Sequence, residues 1–96
     1  MEGLTFSHDE AKRVYEAHLE GHEGRVGVIN YRDNGEVVSI THTGTEYRLQ
    51  GRGIAGELTT FAMDDLREKG RKVRPICPYT VRWFRENTDY DDILAD

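Results

Sequence analysis

Gln50-Gly51-Arg52-Gly53-Ile54-Ala55-Gly56 is the stretch whose residue types and spacing can do chemistry. Three glycines in seven residues make a backbone that turns tightly and admits a ligand with no Cβ in the way. Apolar residues then fall at Ile54, Leu58, Phe61, Ala62 and Leu66, the spacing of one helical face, which predicts a helix ending near Lys69. Arg67 and Lys69 suit its last turn, and Gly70 the left-handed cap beyond it. A glycine loop opening a helix aims unpaired N–H groups and the positive end of the helix dipole at one point. That is an anion site, and phosphate is its usual occupant. The plainer reading of the same glycines is a tight turn.

Three further residues carry candidate chemistry. Cys77, between a predicted strand end and a predicted helix start and with Arg74 close by, has the surroundings that lower a thiol pKa. Its plainer reading is a buried, inert cysteine. His42, on the strand before the loop, can take a proton as a neutral imidazole, or simply pack. Tyr79 follows Cys77 by two residues and can donate a proton or pack. His18 and His22 are separated by a strand end and a turn, so no metal site is expected.

The elements that must position these residues read as follows. Ser7-His8-Asp9-Glu10 has the spacing of a capping box and predicts a short helical turn. Tyr15, Ala17 and Leu19 alternate with Glu16, His18 and Glu20, a half-buried strand. After the Gly21–Gly24 turn, Arg25 to Arg32 reads as a second strand. Asp33-Asn34-Gly35 is a hairpin signal, and Glu36 to Thr43 a third strand. Arg71 to Ile76 is a short strand that Pro75 restricts to an edge or a terminus. Pro78 suits the first turn of a second helix over Tyr79–Glu86, with Val81, Trp83 and Phe84 on its apolar side. The order β-β-β-α-β-α predicts an α+β fold, mainly antiparallel, with helices packed on the sheet. Residues 1–12 and 91–96 are expected to be loosely held.

Composition bounds the function. Ninety-six residues make one domain. At 36% hydrophobic and 32% charged the chain is globular, and no apolar run reaches the length of a membrane span. Met1-Glu2-Gly3-Leu4 lacks the pattern of a signal peptide, and a lone cysteine fits a reducing cytoplasm. A net charge of −5 argues against sequence-independent nucleic-acid binding. Gly51-x-Gly53-x-x-Gly56 matches the dinucleotide fingerprint only as a string. Hairpins precede it, and Asp64 and Asp65 fall inside the helix and not at a strand end about 20 residues on. A Walker loop is excluded for want of Gly-Lys-Ser/Thr.

Read instead as Gln50-x-x-Gly53-x-Ala55, after three antiparallel strands and before a helix, the stretch resembles motif A of the GNAT acetyltransferases. Ile40-Thr41-His42-Thr43, Leu49 to Ala55, Lys72 to Tyr79 with its Cys77-Pro78, and Asn87 to Tyr90 resemble the very small single-domain branch of that family, the YjdJ-type or "CG" acetyltransferase domain. The similarity covers roughly residues 13 to 94. Where that branch has Thr-Glu-Val-Pro-Pro, this chain has Thr43-Gly44-Thr45-Glu46-Tyr47, which removes an acidic side chain at Gly44.

The resemblance implies a minimal GNAT-like fold and an acetyl-CoA-dependent N-acetyltransferase. It implies that Gln50, Gly51, Arg52, Gly53, Ile54, Ala55 and Gly56 hold the pyrophosphate of acetyl-CoA. Backbone groups of Thr43, Gly44 and Thr45, with Tyr79, would hold the pantetheine and acetyl carbonyl. Cys77 and His42 are the catalytic candidates, with Cys77 either accepting the acetyl group or lining the coenzyme sulfur. The acceptor would be a protein lysine, a terminus or a small amine, and the protein a monomer or weak homodimer. The competing expectations are a non-catalytic acyl-CoA-binding or sensing module, and a dimeric interaction protein with a vestigial loop.

Overall fold

The fold is built on a five-stranded sheet with all its helices on one side. The computed structural model describes residues 2–96; Met1, at the head of the stretch expected to be loose, lies outside them. Strands β1 (Leu4–Asp9), β2 (Val14–Leu19), β3 (Gly27–Asp33) and β4 (Val37–Thr45) form an antiparallel run in chain order. Helix α1 (Ile54–Glu68) crosses over to β5 (Lys72–Pro75), which pairs parallel with β4. Helix α2 (Pro78–Glu86) and a 3-10 helix (Thr88–Ile93) complete the chain.

Two expectations give way here. Residues 4–9 are a strand and not a helical turn, so the order is β-β-β-β-α-β-α. Leu4, Phe6 and His8 pair with Leu19, Ala17 and Tyr15, and Phe6 stacks on Phe61 of α1 at 5.1 Å between ring centroids. Those non-local contacts outweigh a local capping signal. The C-terminal stretch is also tied down: Ile93 is buried, Leu94 bridges to Val73, and the Ala95 N–H donates to the Val73 carbonyl at 2.8 Å.

Local chemistry accounts for the rest. At the β3–β4 turn Asn34 Oδ1 accepts the N–H groups of Glu36 and Val37, and Gly35 sits at φ +92°. Helix α1 buries Ile54, Leu58, Thr59, Ala62, Met63 and Leu66 against the sheet. It closes with Gly70 at φ +70°, the Gly70 N–H on the Arg67 carbonyl and the Arg71 N–H on the Leu66 carbonyl, a Schellman motif. Pro78 opens α2 from its first turn, and Pro75 ends β5 at its terminus. On α2 the buried side is Thr80, Trp83 and Phe84, with Val81 only half-buried.

One irregularity positions the site. Tyr31 pairs with Ile40 while Asn30 pairs with His42, so Thr41 is an extra residue in β4, and its hydroxyl donates to the Asn30 carbonyl at 3.2 Å. Past this bulge, Thr43 and Thr45 join Ile40 on the helix-covered face, opposite Ile29 and Gly27. His42 and Gly44 point to the other face, beside Asn30 and Val28. Among the described residues no helix covers that face: Thr5, Ser7, Arg32, His42, Lys72 and Arg74 are exposed on it.

Candidate functional site

A cleft opens where the parallel pair of strands stops. The β4–β5 register ends at Ile40 and Pro75, and the Ile40 carbonyl accepts the N–H groups of both Ile76 and Cys77 at 3.0 Å. The chain then turns into α2 while β4 runs on to Thr45. Strand end, loop and α2 together enclose a cavity of about 490 Å³ lined by Thr43, Gly44, Thr45, Gln50, Gly51, Gly53, Ala55, Gly56, Tyr79 and Arg82.

The glycine loop supplies one wall. Gly51 and Gly53 lie at φ +83° and +86°, in the left-handed region that favours glycine, and a β-carbon at either would meet nothing within 4 Å. Gly53 is the N-cap of α1 and has no side chain to satisfy the helix's first amides. The first N–H beyond the loop to find an acceptor is that of Glu57, on the Gly53 carbonyl at 3.0 Å. No backbone acceptor among the described residues takes the N–H groups of Gly51 to Gly56. Gln50 Nε2 donates to the Thr45 carbonyl at 3.3 Å and ties the loop to the strand end. Arg52 is exposed outside the lining, whereas the Ile54 side chain is buried in the core, so that residue has only its amide to offer.

Cys77 is the N-cap residue of α2, half-buried, and its thiol pKa is lowered. Burial alone would push it up. The backbone N–H groups of Tyr79 and Thr80, the Thr43 hydroxyl and the Thr43 N–H together outweigh that. None of these amide contacts from α2 reaches ordinary cap hydrogen-bond geometry; they act on the sulfur as dipoles at a helix N-terminus. Thr80, fully buried, sets its hydroxyl 3.4 Å from that of Thr43. Cys77 does not line the cavity, but Thr43, which influences its thiol, does.

His42 is not brought to the same side. Its ring lies over Gly44 on the solvated face, with Nε2 3.0 Å from where a β-carbon of residue 44 would stand. A side chain there would have to displace the ring. Tyr79 spans the cleft, its hydroxyl 3.6 Å from the position of a β-carbon on Gly56, and burial raises its pKa. Arg82, one helical turn on, holds its guanidinium 5.6 Å above the Tyr79 ring. Sequence reading missed Arg82 and Thr80. The signal for both was the three-residue spacing from Tyr79 and Cys77 on a helix that opens at the cleft.

Comparison with known proteins agrees with this architecture. The family model described as GCN5-related N-acetyl-transferase matches residues 14–93. Protein NATD1 of Xenopus tropicalis is 30% identical over 84 residues, 88% of this chain and 77% of that protein. The Homo sapiens NATD1 is 29% identical over the same length, with 74% of it covered. A GCN5-like protein from Staphylococcus aureus, solved by NMR, superposes with a TM-score of 0.74 at 20% identity, over 99% of this chain and 91% of that one. A ribosomal-protein-alanine N-acetyltransferase from Brucella melitensis gives 0.56 at 21% identity, over 86% and 61%. At those identities the two structures bear on the fold alone.

Proposed function

The chain belongs to the GCN5-related N-acetyltransferase family, and from that premise we propose that it transfers an acetyl group from acetyl-CoA to an amine. The observation that carries this reading is the run of acceptor-less amides at the head of α1, facing a strand end whose partner has stopped. The loop suits a diphosphate: no backbone acceptor among the described residues takes its N–H groups, Gly51 and Gly53 leave open space, and Arg52 and Arg82 add positive charge. The pantetheine would run along Thr43 to Thr45. When bound, the coenzyme supplies an activated carbonyl on a thiolate leaving group.

Within that cleft an N–H near the end of β4 polarises the acetyl carbonyl. Cys77 stands outside the cavity lining but beside its member Thr43, and with its lowered pKa it is the candidate nucleophile of a two-step route. Its thiolate forms a bond to the acetyl carbon as the bond to the coenzyme sulfur breaks. The amine then attacks acetyl-Cys77, the new amide leaves, and the thiolate is restored. Direct attack by the amine on the thioester is the one-step form of the same transfer. In either form one proton of the ammonium must be removed, and because His42 lies on the face of the sheet opposite the cleft, that proton is lost to water. Tyr79 serves as a hydrogen-bond donor and not as an acid. Its pKa is raised above that of a phenol, whereas a thiol's is about 8.5, so proton transfer to a thiolate would run uphill.

A second reading, an acyl-CoA-binding or sensing module, draws on one observation. No histidine, cysteine or carboxylate is among the residues that line the cavity, and His42 faces away from it. Incubation with acetyl-CoA and a panel of amines and lysine peptides, followed by free-thiol release, separates the two. Transfer predicts amine-dependent release, with an acetyl adduct on the intact protein that Cys77→Ser abolishes if the two-step route operates. Binding without release across the panel supports the module. Acetyl-CoA at about 100 times its Kd adds about 2.7 kcal/mol of stability in either case, and no thermal shift removes both readings.

A further inference from the structure

A separate basin lies at the opposite end of α1, about 20 Å away along a helix of 15 residues. It is a cavity of about 300 Å³ between the β1–β2 turn, the end of β3 and the residues that close α1. Val38 and Leu66, both buried, form its floor, and Arg13, Lys69 and Arg71 stand on its rim.

Two of those cations are committed. Arg71 makes a two-pronged contact with Asp33, at 2.8 and 2.6 Å. Lys69 donates to Asp65 at 2.9 Å and to Glu10 at 3.3 Å. Arg13 is different: its side chain has no hydrogen bond or ion pair among the described residues, yet its charge reaches Tyr31 and Asp33 across the basin. It is also the one non-glycine residue among those described with positive φ, at 55°. Its N–H donates to the Glu10 carbonyl and its carbonyl accepts from Tyr31, both at 3.2 Å, which fixes the turn in that conformation. The Arg13 side chain thus carries a charge, unpaired among the described residues, over a polar cavity, from a turn fixed in an uncommon backbone state.

We infer that this basin is a second ligand site, taking a small oxyanion between Arg13 and the paired cations Lys69 and Arg71. Three carboxylates also face the region, and they decide how the anion fits. Asp33 is satisfied by Arg71, and Asp65 by Lys69 and the Tyr15 hydroxyl at 2.7 Å. Exposed Glu10 is held by Lys69 alone, so it is the group an arriving oxyanion displaces. Val38 and Leu66 are too deeply buried to offer a ligand much apolar surface, so the charged head of the oxyanion carries its recognition. The site does not depend on acetyl-CoA being the ligand of the glycine loop.

The test is a titration of the whole protein with inorganic phosphate and, separately, with butyrate, followed by amide ¹H–¹⁵N chemical shifts. Saturable shifts are expected at Glu10 to Val14, Tyr31 and Lys69 to Arg71. Arg13→Asn, which tolerates the left-handed region and removes the charge, should weaken them at least tenfold, and Glu10→Gln should strengthen them. Arg13→Gly is the second variant, free of backbone strain at this position. The response of residues 51–56 to phosphate stays unchanged in every variant and serves as the internal reference. Tighter binding of butyrate identifies a carboxylate ligand; tighter phosphate identifies a phosphate. Absence of saturable shifts at millimolar concentrations of both, or equal affinity in the Arg13 variants, overturns the inference.

Discussion

The Tyr79 hydroxyl stands across the cleft from Gly56, 3.6 Å from where a β-carbon on that glycine would sit. The two helices that frame the cleft therefore approach as closely there as one methyl group allows. Gly56→Ala places that methyl in ordinary contact and replaces a helical glycine, so stability should rise by roughly 0.5–1 kcal/mol. Gly56→Leu has no such room and should displace Tyr79 and narrow the cleft. Thermal unfolding and acetyl-CoA titration of the pair check this: a stabilised alanine variant that still binds, and a leucine variant that binds at least tenfold more weakly.

Gly53 is open to solvent, and the obstacle to a side chain there is its φ of +86°. Gly53→Val should cost about 1–2 kcal/mol of backbone strain and re-aim the amides that follow, abolishing coenzyme binding while the sheet remains folded. Gly53→Asn, which tolerates the left-handed region, should retain most of it. Calorimetry with far-ultraviolet circular dichroism distinguishes the outcomes. Undiminished affinity in the valine variant removes the loop from the site.

The Cys77 thiol should alkylate faster below pH 8 than a model thiol, because its pKa is lowered. Thr43→Val deletes the hydroxyl that contributes to this and should move the midpoint of the alkylation profile upward. Iodoacetamide kinetics across pH 5 to 10 measure it. A midpoint unmoved by Thr43→Val would mean that the backbone N–H groups of Thr43, Tyr79 and Thr80 set the thiol without the hydroxyl.

Asp33 is held down to a pKa of about 2, first by Arg71 and then by the Gly35 N–H. An unfolded aspartate titrates near 3.9. The folded chain thus binds this proton less readily, so the stability the pair contributes is fully present above about pH 4 and fades as pH falls toward 2. Urea unfolding between pH 2 and 5 should show that slope in the wild type and a flatter one in Asp33→Asn. Equal slopes would show that other carboxylates dominate acid unfolding.

Much of this architecture is legible in the chain because its signals are local. The α1 face, the Gly70 cap, the Asn34-Gly35 turn and Pro78 at a helix start each depend on neighbours within a few residues. The failures are non-local. Ser7 to Glu10 has the form of a capping box, but Phe6 finds Phe61 from 55 residues away, and the strand wins. Ile93 and Leu94 look like a frayed tail until Val73 is beside them. At the site, alternation counted from Val38 and Ile40 would turn His42 inward and Thr43 outward. The extra Thr41 reverses that order, and no pattern of residue types announces a bulge. The loop needs no such correction, since a glycine's use is in its own backbone.

A sheet roofed on one side alone also has a consequence for how this molecule can change. Substitutions at Thr5, Arg32 or Ser39 meet water and not the core, and should alter stability by less than about 0.5 kcal/mol. Mutational drift can therefore rewrite the exposed positions of that panel, buried Val14 aside, almost as freely as a loop. A new recognition surface can arise on it while the interior stays as it was.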